Sequence, residues 1–114
     1  MPVSPEHFLR AAELMLASGS EMACRNSASR AYYAAYHHAL QYAAKARLAP
    51  VATSTGLHRQ LSLRFEQARA KEIAQLLRAM HKCRCKADYR LTQTITVQEA
   101  QQQCLAAQAL MTSL

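Results

Sequence analysis

The stretch 25–40, RNSASRAYYAAYHHAL, constrains this chain more than any other part of it. Its small residues Ala28, Ala31, Ala35 and Ala39 recur at steps of three and four, the period of an α-helix. A helix with a stripe of single methyl groups lets neighbouring helices approach closely, so the expectation is an all-α fold packed around this one element. Tyr32 and Tyr36 fall one turn apart on one face, while Arg30, Tyr33 and His37 form a second stripe. Tyrosines at such spacing are more often core residues with a bonded hydroxyl than a ligand box.

The flanking sequence supplies helix boundaries. Ser4, Pro5 and Glu6 read as a helix start, with a hydroxyl N-cap, a proline in the first turn and an acid at the positive end of the dipole. The stripe Phe8, Ala12, Met15 and Leu16 then runs to the neighbourhood of Gly19. Ser20 caps a second helix that extends to about Arg47, where Pro50 disfavours helix at Ala49. Residues 50–56 show no period and are the one loop with room to move. Leu57, Leu61 and Phe65 mark a short lid helix over Leu57–Gln67, and Ile73, Leu76, Leu77 and Met80 mark a fourth over Lys71–Tyr89. After a break at 92–96, Thr96 and Glu99 form a capping box for a last helix carrying Val97, Ala100, Cys104, Ala107 and Met111. With only two glycines and three prolines in 114 residues, little of the chain is left irregular. The expectation is one domain over residues 1–114, an antiparallel bundle of about five helices.

Charge narrows the function. Fourteen Lys and Arg against seven Asp and Glu leave a net +7, a field that attracts polyanions and makes nucleic acid the leading partner. The competing reading is a merely soluble basic surface, since the bases are scattered. No uninterrupted apolar run reaches the ~20 residues of a membrane span, and the N-terminal segment lacks a signal peptide's apolar core, so a cytoplasmic location is expected. Cys24, Cys83, Cys85 and Cys104 do not read as a metal site: on a helix, residues 83 and 85 point about 200° apart. Neither a metal nor a cofactor is expected.

A second cluster, HKCRCKADYR at 81–90, sets His81, Arg84, Cys85 and Asp88 on one helical face. Alone it is an ordinary i, i+4 ion pair beside a histidine. Taken with Arg25-Asn26-Ser27, with Ser29 through His37 (SRAYYAAYH), and with His58 at the start of the short helix, the run Arg84 to Tyr89 (RCKADY) resembles the HEPN domain family. It is similar in particular to the small stand-alone prokaryotic branch, over nearly the whole chain. That resemblance implies a two-fold dimer whose Arg-bearing helices meet at a shared groove. It also implies either RNA binding, in some members with metal-independent ribonuclease activity in toxin–antitoxin or defence systems, or partnership with a minimal nucleotidyltransferase.

In nuclease members an arginine is followed four to six residues later by histidine. Arg84 matches the arginine, but Tyr89 stands five positions on. A phenol of pKa ~10 is a poor general base at neutral pH, yet it can donate a hydrogen bond to a phosphate. The resemblance thus implies a site of Arg84, Asp88 and Tyr89, with Asp88 orienting a partly exposed Arg84. Arg30, Tyr33 and His37 are added as RNA- or nucleotide-binding residues, and His37, His58 and His81 are candidate replacements for the missing imidazole. Two readings stand: an RNA-associated module, or a non-enzymatic helical subunit that docks a nucleotidyltransferase.

Overall fold

The computed structural model describes residues 2–52 and 55–114. They form five helices: α1 Pro5–Leu16, α2 Glu21–Lys45, α3 Leu57–Gln67, α4 Lys71–Tyr89 and α5 Val97–Ser113. Among the described residues there is no strand, and no helix is long and apolar enough to cross a membrane. Thr53 and Ser54, in the expected loop at 50–56, lie outside the described residues.

The alanine stripe makes α2 the axis of the bundle, and α2 touches all four other helices. Ala28, Ala31, Ala35 and Ala39 are fully buried, as are Ala34 and Ala43. Contacts pair in opposite chain directions along α1 and α2 (Ser27 Oγ to the Ala12 carbonyl, 2.7 Å, and His37 to Phe8), along α2 and α4 (Arg25 to Ala87, Tyr32 to His81), and along α4 and α5 (Gln103 to Met80, Lys86 to Glu99). Those three pairs are therefore antiparallel. The main core gathers Tyr32, Tyr36, Leu61, Phe65, Leu77, Met80, Cys104 and Leu110 around the alanines, and a smaller cluster joins Cys24, Ala28, Ala87, Ile95 and Ala100 at the other end of α2.

The expected boundaries hold to within a residue or two, and capping explains them. Ser20 Oγ accepts from the Ala23 N–H at 3.1 Å. Thr96 and Glu99 exchange both capping-box bonds, at 3.0 and 3.3 Å. At the start of α1 it is His7 Nδ1, not an acid, that accepts from the Ser4 N–H, at 3.0 Å. The second helix stops at Lys45 because Arg47 turns left-handed, at φ 54°; Leu48 N–H then bonds the Ala43 carbonyl and Arg47 N–H the Ala44 carbonyl. The same motif ends α3, with Arg69 at φ 65° and bonds from Ala70 to Phe65 and from Arg69 to Glu66. Both are Schellman motifs in which arginine occupies the position that usually takes glycine. Leu57, expected on the apolar face of α3, is largely exposed; Leu61 and Phe65 alone anchor that helix in the core.

Two buried polar groups tie the frame together. Gln103 donates from Nε2 to the Met80 carbonyl at 2.8 Å and to that of Ala28 at 3.4 Å, joining α5 to α4 and α2. Arg25, 5 % exposed, closes the end of α4: its guanidinium donates to the carbonyls of Ala87 (2.8 Å), Lys86 (3.3 Å), Arg90 and Gln93. Its Nε meets Glu21 Oε1 at 3.0 Å, and the same carboxylate oxygen accepts from the Ile95 N–H. The Ala87 carbonyl, one of those left over at the C-terminus of α4, is thus satisfied by a cation, which also suits the negative end of the dipole.

Candidate functional site

By closing the end of α4, Arg25 fixes the last turn, which carries Asp88 and Tyr89, with Arg84 one turn before them. Arg84 donates from Nε to Asp88 Oδ2 at 2.9 Å and from Nη2 to the Tyr89 hydroxyl at 3.2 Å. Asp88 Oδ2 also accepts from Ser29 Oγ of α2 at 3.1 Å, so the carboxylate that aims the guanidinium is itself held by the neighbouring helix. The guanidinium carbon sits 5.3 Å from the centroid of the Tyr33 ring and 5.2 Å from that of Tyr89, in cation–π contact with both. Tyr33 is half-buried, whereas Tyr89 is 67 % exposed.

This differs from the sequence expectation in one physical respect. The Arg84 side chain is only 13 % exposed, less than a partly exposed arginine on the helix surface would be. Burial disfavours its charge, but Tyr33, Tyr89, Asp88 and Cys85 together outweigh that, and its pKa lies above the usual value. What remains open beside it is the Tyr89 ring and its hydroxyl. That oxygen accepts from Arg84, which leaves its own O–H proton free to donate.

Next to Arg84 lies an aromatic cluster that spacing alone could not assemble. Tyr32, almost fully buried, places its hydroxyl 2.6 Å from His58 Nδ1. Burial, reinforced by Tyr36 and Tyr33, holds the Tyr32 phenol well above its ordinary pKa. The phenol therefore acts as donor to Nδ1, which puts the remaining His58 ring proton on Nε2. The His58 and His81 rings stack with centroids 4.6 Å apart and 23° between planes, and Tyr36 packs on His58 at 4.9 Å. Burial lowers the pKa of both imidazoles; His81 and Arg84 add repulsion at His58, and Arg84 does so at His81. His81 Nε2 lies 3.6 Å from Cys85 Sγ.

The remaining residues named from the sequence lie on the α1 side. His37 packs on Phe8 at 5.4 Å and touches Tyr33 and Tyr36, one step removed from Arg84. Arg30 is exposed and lines a shallow hollow with Val3, His7, Phe8 and Ala11. The structure therefore joins Arg84, Asp88, Tyr89 and Tyr33 in one cluster, reaches His37 through Tyr33, and leaves Arg30 outside. Two members were missed: Ser29, which reads as any serine on a helix, and Arg25, whose i, i+4 spacing from Glu21 reads as a solvated pair. His58 and His81 are brought together across α3 and α4, a contact no local spacing encodes.

Among the described residues no three His, Cys, Asp or Glu side chains gather as a metal site requires. A larger concavity, about 850 Å³, is an open trough between α4 and α5 lined chiefly by Gln98, Gln101, Gln102, Gln103, Glu99 and Cys83. It holds no convergent reactive groups, so the chemistry of the Arg84 cluster outweighs its size. Comparison of the chain with family models, with curated proteins and with solved structures finds no match.

Proposed function

We propose that this protein is an RNA-associated module of HEPN-like type, in which the end of α4 receives a phosphate and an unpaired base of single-stranded RNA. The observation that carries the reading is the Arg84 clamp. A guanidinium aimed by Asp88 and Ser29 sits between two tyrosine rings, one of them open to solvent, on a chain of net charge +7. Single-stranded RNA binds by stacking bases on aromatic rings beside a cationic groove that follows the backbone. Tyr89 offers the ring and a hydroxyl donor, and Arg84 the charge. Tyr89 in place of the histidine of nuclease relatives favours binding over cleavage, because a phenol does not exchange a proton readily at neutral pH.

The test compares wild type with Arg84→Ala and Arg84→Lys for retention of a mixed RNA pool at low salt in EDTA, with circular dichroism to establish folding. Loss of a charge-assisted hydrogen bond weakens binding by ~1.5–3 kcal/mol, roughly tenfold to a hundredfold. Lysine rescues little, since it lacks the planar fork that stacks between rings. Equal binding by all three folded proteins would remove Arg84 from the site.

A second reading, a helical subunit that docks a partner such as a minimal nucleotidyltransferase, draws on the exposed apolar side chains Met22, Leu91 and Leu105. Absence of RNA binding at low salt would favour it.

A further inference from the structure

A separate hollow of about 250 Å³ lies between α3 and α4, lined by His58, Arg59, Ser62, Leu77, Arg78 and His81. Arg84, Asp88, Tyr89 and Tyr33 take no part in its lining. Four of its six residues are guanidinium or imidazole groups, and none is an acid. Arg78 pairs across its rim with Glu66, while Arg59 is exposed and makes no ion pair among the described residues. The Ser62 hydroxyl donates to the Arg59 carbonyl at 2.9 Å, which leaves the imidazoles and guanidinia as the donors available to a ligand. The space falls below the ~300–1,000 Å³ of sites for drug-sized ligands and suits one small group.

We propose that this hollow binds a phosphate monoester, the terminal phosphate of a nucleotide or of an RNA 5′ end, with Arg59 and Arg78 supplying charge and His58 and His81 donating to its oxygens. A phosphate monoester carries up to two charges and three acceptor oxygens, and this donor set matches both. The Tyr32 hydroxyl occupies His58 Nδ1, so His58 offers Nε2–H. The ionisable neighbours of the stacked pair are Tyr32, Tyr33 and Tyr36 of α2, Arg59 of α3, and Arg78, Arg84 and Cys85 of α4. At neutral pH the charged ones are all cations, and burial together with the Arg84 charge favours the neutral imidazoles. A bound dianion reverses that field, so the pair takes up a proton as the ligand enters.

Imidazole nitrogen NMR of the full chain tests this, with sulfate as a dianion whose charge is constant across the range and with adenosine 5′-monophosphate against adenosine. Sulfate and the monophosphate are expected to move the His58 and His81 resonances while adenosine does not. Sulfate is expected to bind more tightly at pH 6 than at pH 8, by roughly tenfold per pH unit where one proton is taken up. Arg59→Ala, at an exposed position that does not threaten folding, is expected to weaken both anions. Preference for a 5′-phosphorylated over a 5′-hydroxyl oligoribonucleotide would assign the phosphate to an RNA end, and equal binding of the two oligonucleotides to a free nucleotide. Adenosine acting like its monophosphate, sulfate binding independent of pH, or an Arg59→Ala protein that binds as wild type would each overturn the proposal. None of these ligands has to touch Arg84.

Discussion

Arg25 does for α4 what a glycine cap does for most helices, and does it from another helix. Its guanidinium is almost wholly buried against the carbonyls of α4 and of the turn that follows, and Glu21 balances the charge. Removing it takes the donor from the buried Ala87 carbonyl and the countercharge from Glu21, so Arg25→Ala is expected to lower stability by about 1–3 kcal/mol in urea unfolding. Arg25→Lys should recover little of this, because an ammonium cannot span the same carbonyls. The opposite experiment lies at Arg47 and Arg69, two exposed side chains in left-handed backbone. A β-carbon costs ~1–2 kcal/mol there, while glycine adds entropy to the unfolded chain. Arg47→Gly and Arg69→Gly are each expected to gain about 0.5–1 kcal/mol, read as a shift in the urea midpoint. No gain at either position would mean that the arginine side chains contribute more at these helix ends than their exposure suggests.

At the scale of elements, α3 is the least embedded helix, held by Leu61 and Phe65 and by the meeting of His58 with Tyr32 and His81. That seam responds to pH. Both imidazoles titrate below the ordinary value in the folded chain, chiefly through burial. The unfolded chain therefore binds more protons than the native one between the folded values and about pH 6.5. Stability contributed at the seam is complete above that range and declines as pH falls through it. Urea midpoints should drop between pH 7.5 and 5.5, and a His81→Gln protein should show a shallower drop. An unchanged slope in that variant would exclude His81 from the linkage. Ser27 and Gln103 add a second hydrogen bond to carbonyls inside neighbouring helices and so tie α2 to α1 and α5 to α4.

The molecule as a whole exposes 7053 Å², against about 6,200 Å² for a compact monomer of its mass. Met22, Leu91 and Val97 contribute apolar surface around the start of α2 and the turn between α4 and α5. We expect this end to meet a second copy, and light scattering at micromolar concentration should return twice the chain mass; a monomer there would refute it. Among the described residues, four of the fourteen basic side chains pair with acids, so most of the positive charge is left unpaired. RNA affinity should accordingly fall by orders of magnitude between ~50 and ~200 mM salt, as condensed counterions are released. Affinity flat across that range would contradict phosphate-driven binding.

The sequence by itself determined what depends on neighbours along the chain. Periodicity fixed which segments are helical, Ser20 and Thr96 fixed where two of them begin, and the alanine stripe fixed which helix lies at the centre, because each is a matter of three- and four-residue spacing. Arg84 with Asp88 was legible for the same reason. Only the tertiary structure decided that Ser29 holds Asp88, that Tyr33 of α2 meets the guanidinium, that Arg25 caps α4 from α2, and that His58 stacks on His81. Those contacts join residues 23 to 68 positions apart. They arise when helix faces meet at particular angles, and no local pattern records such an angle.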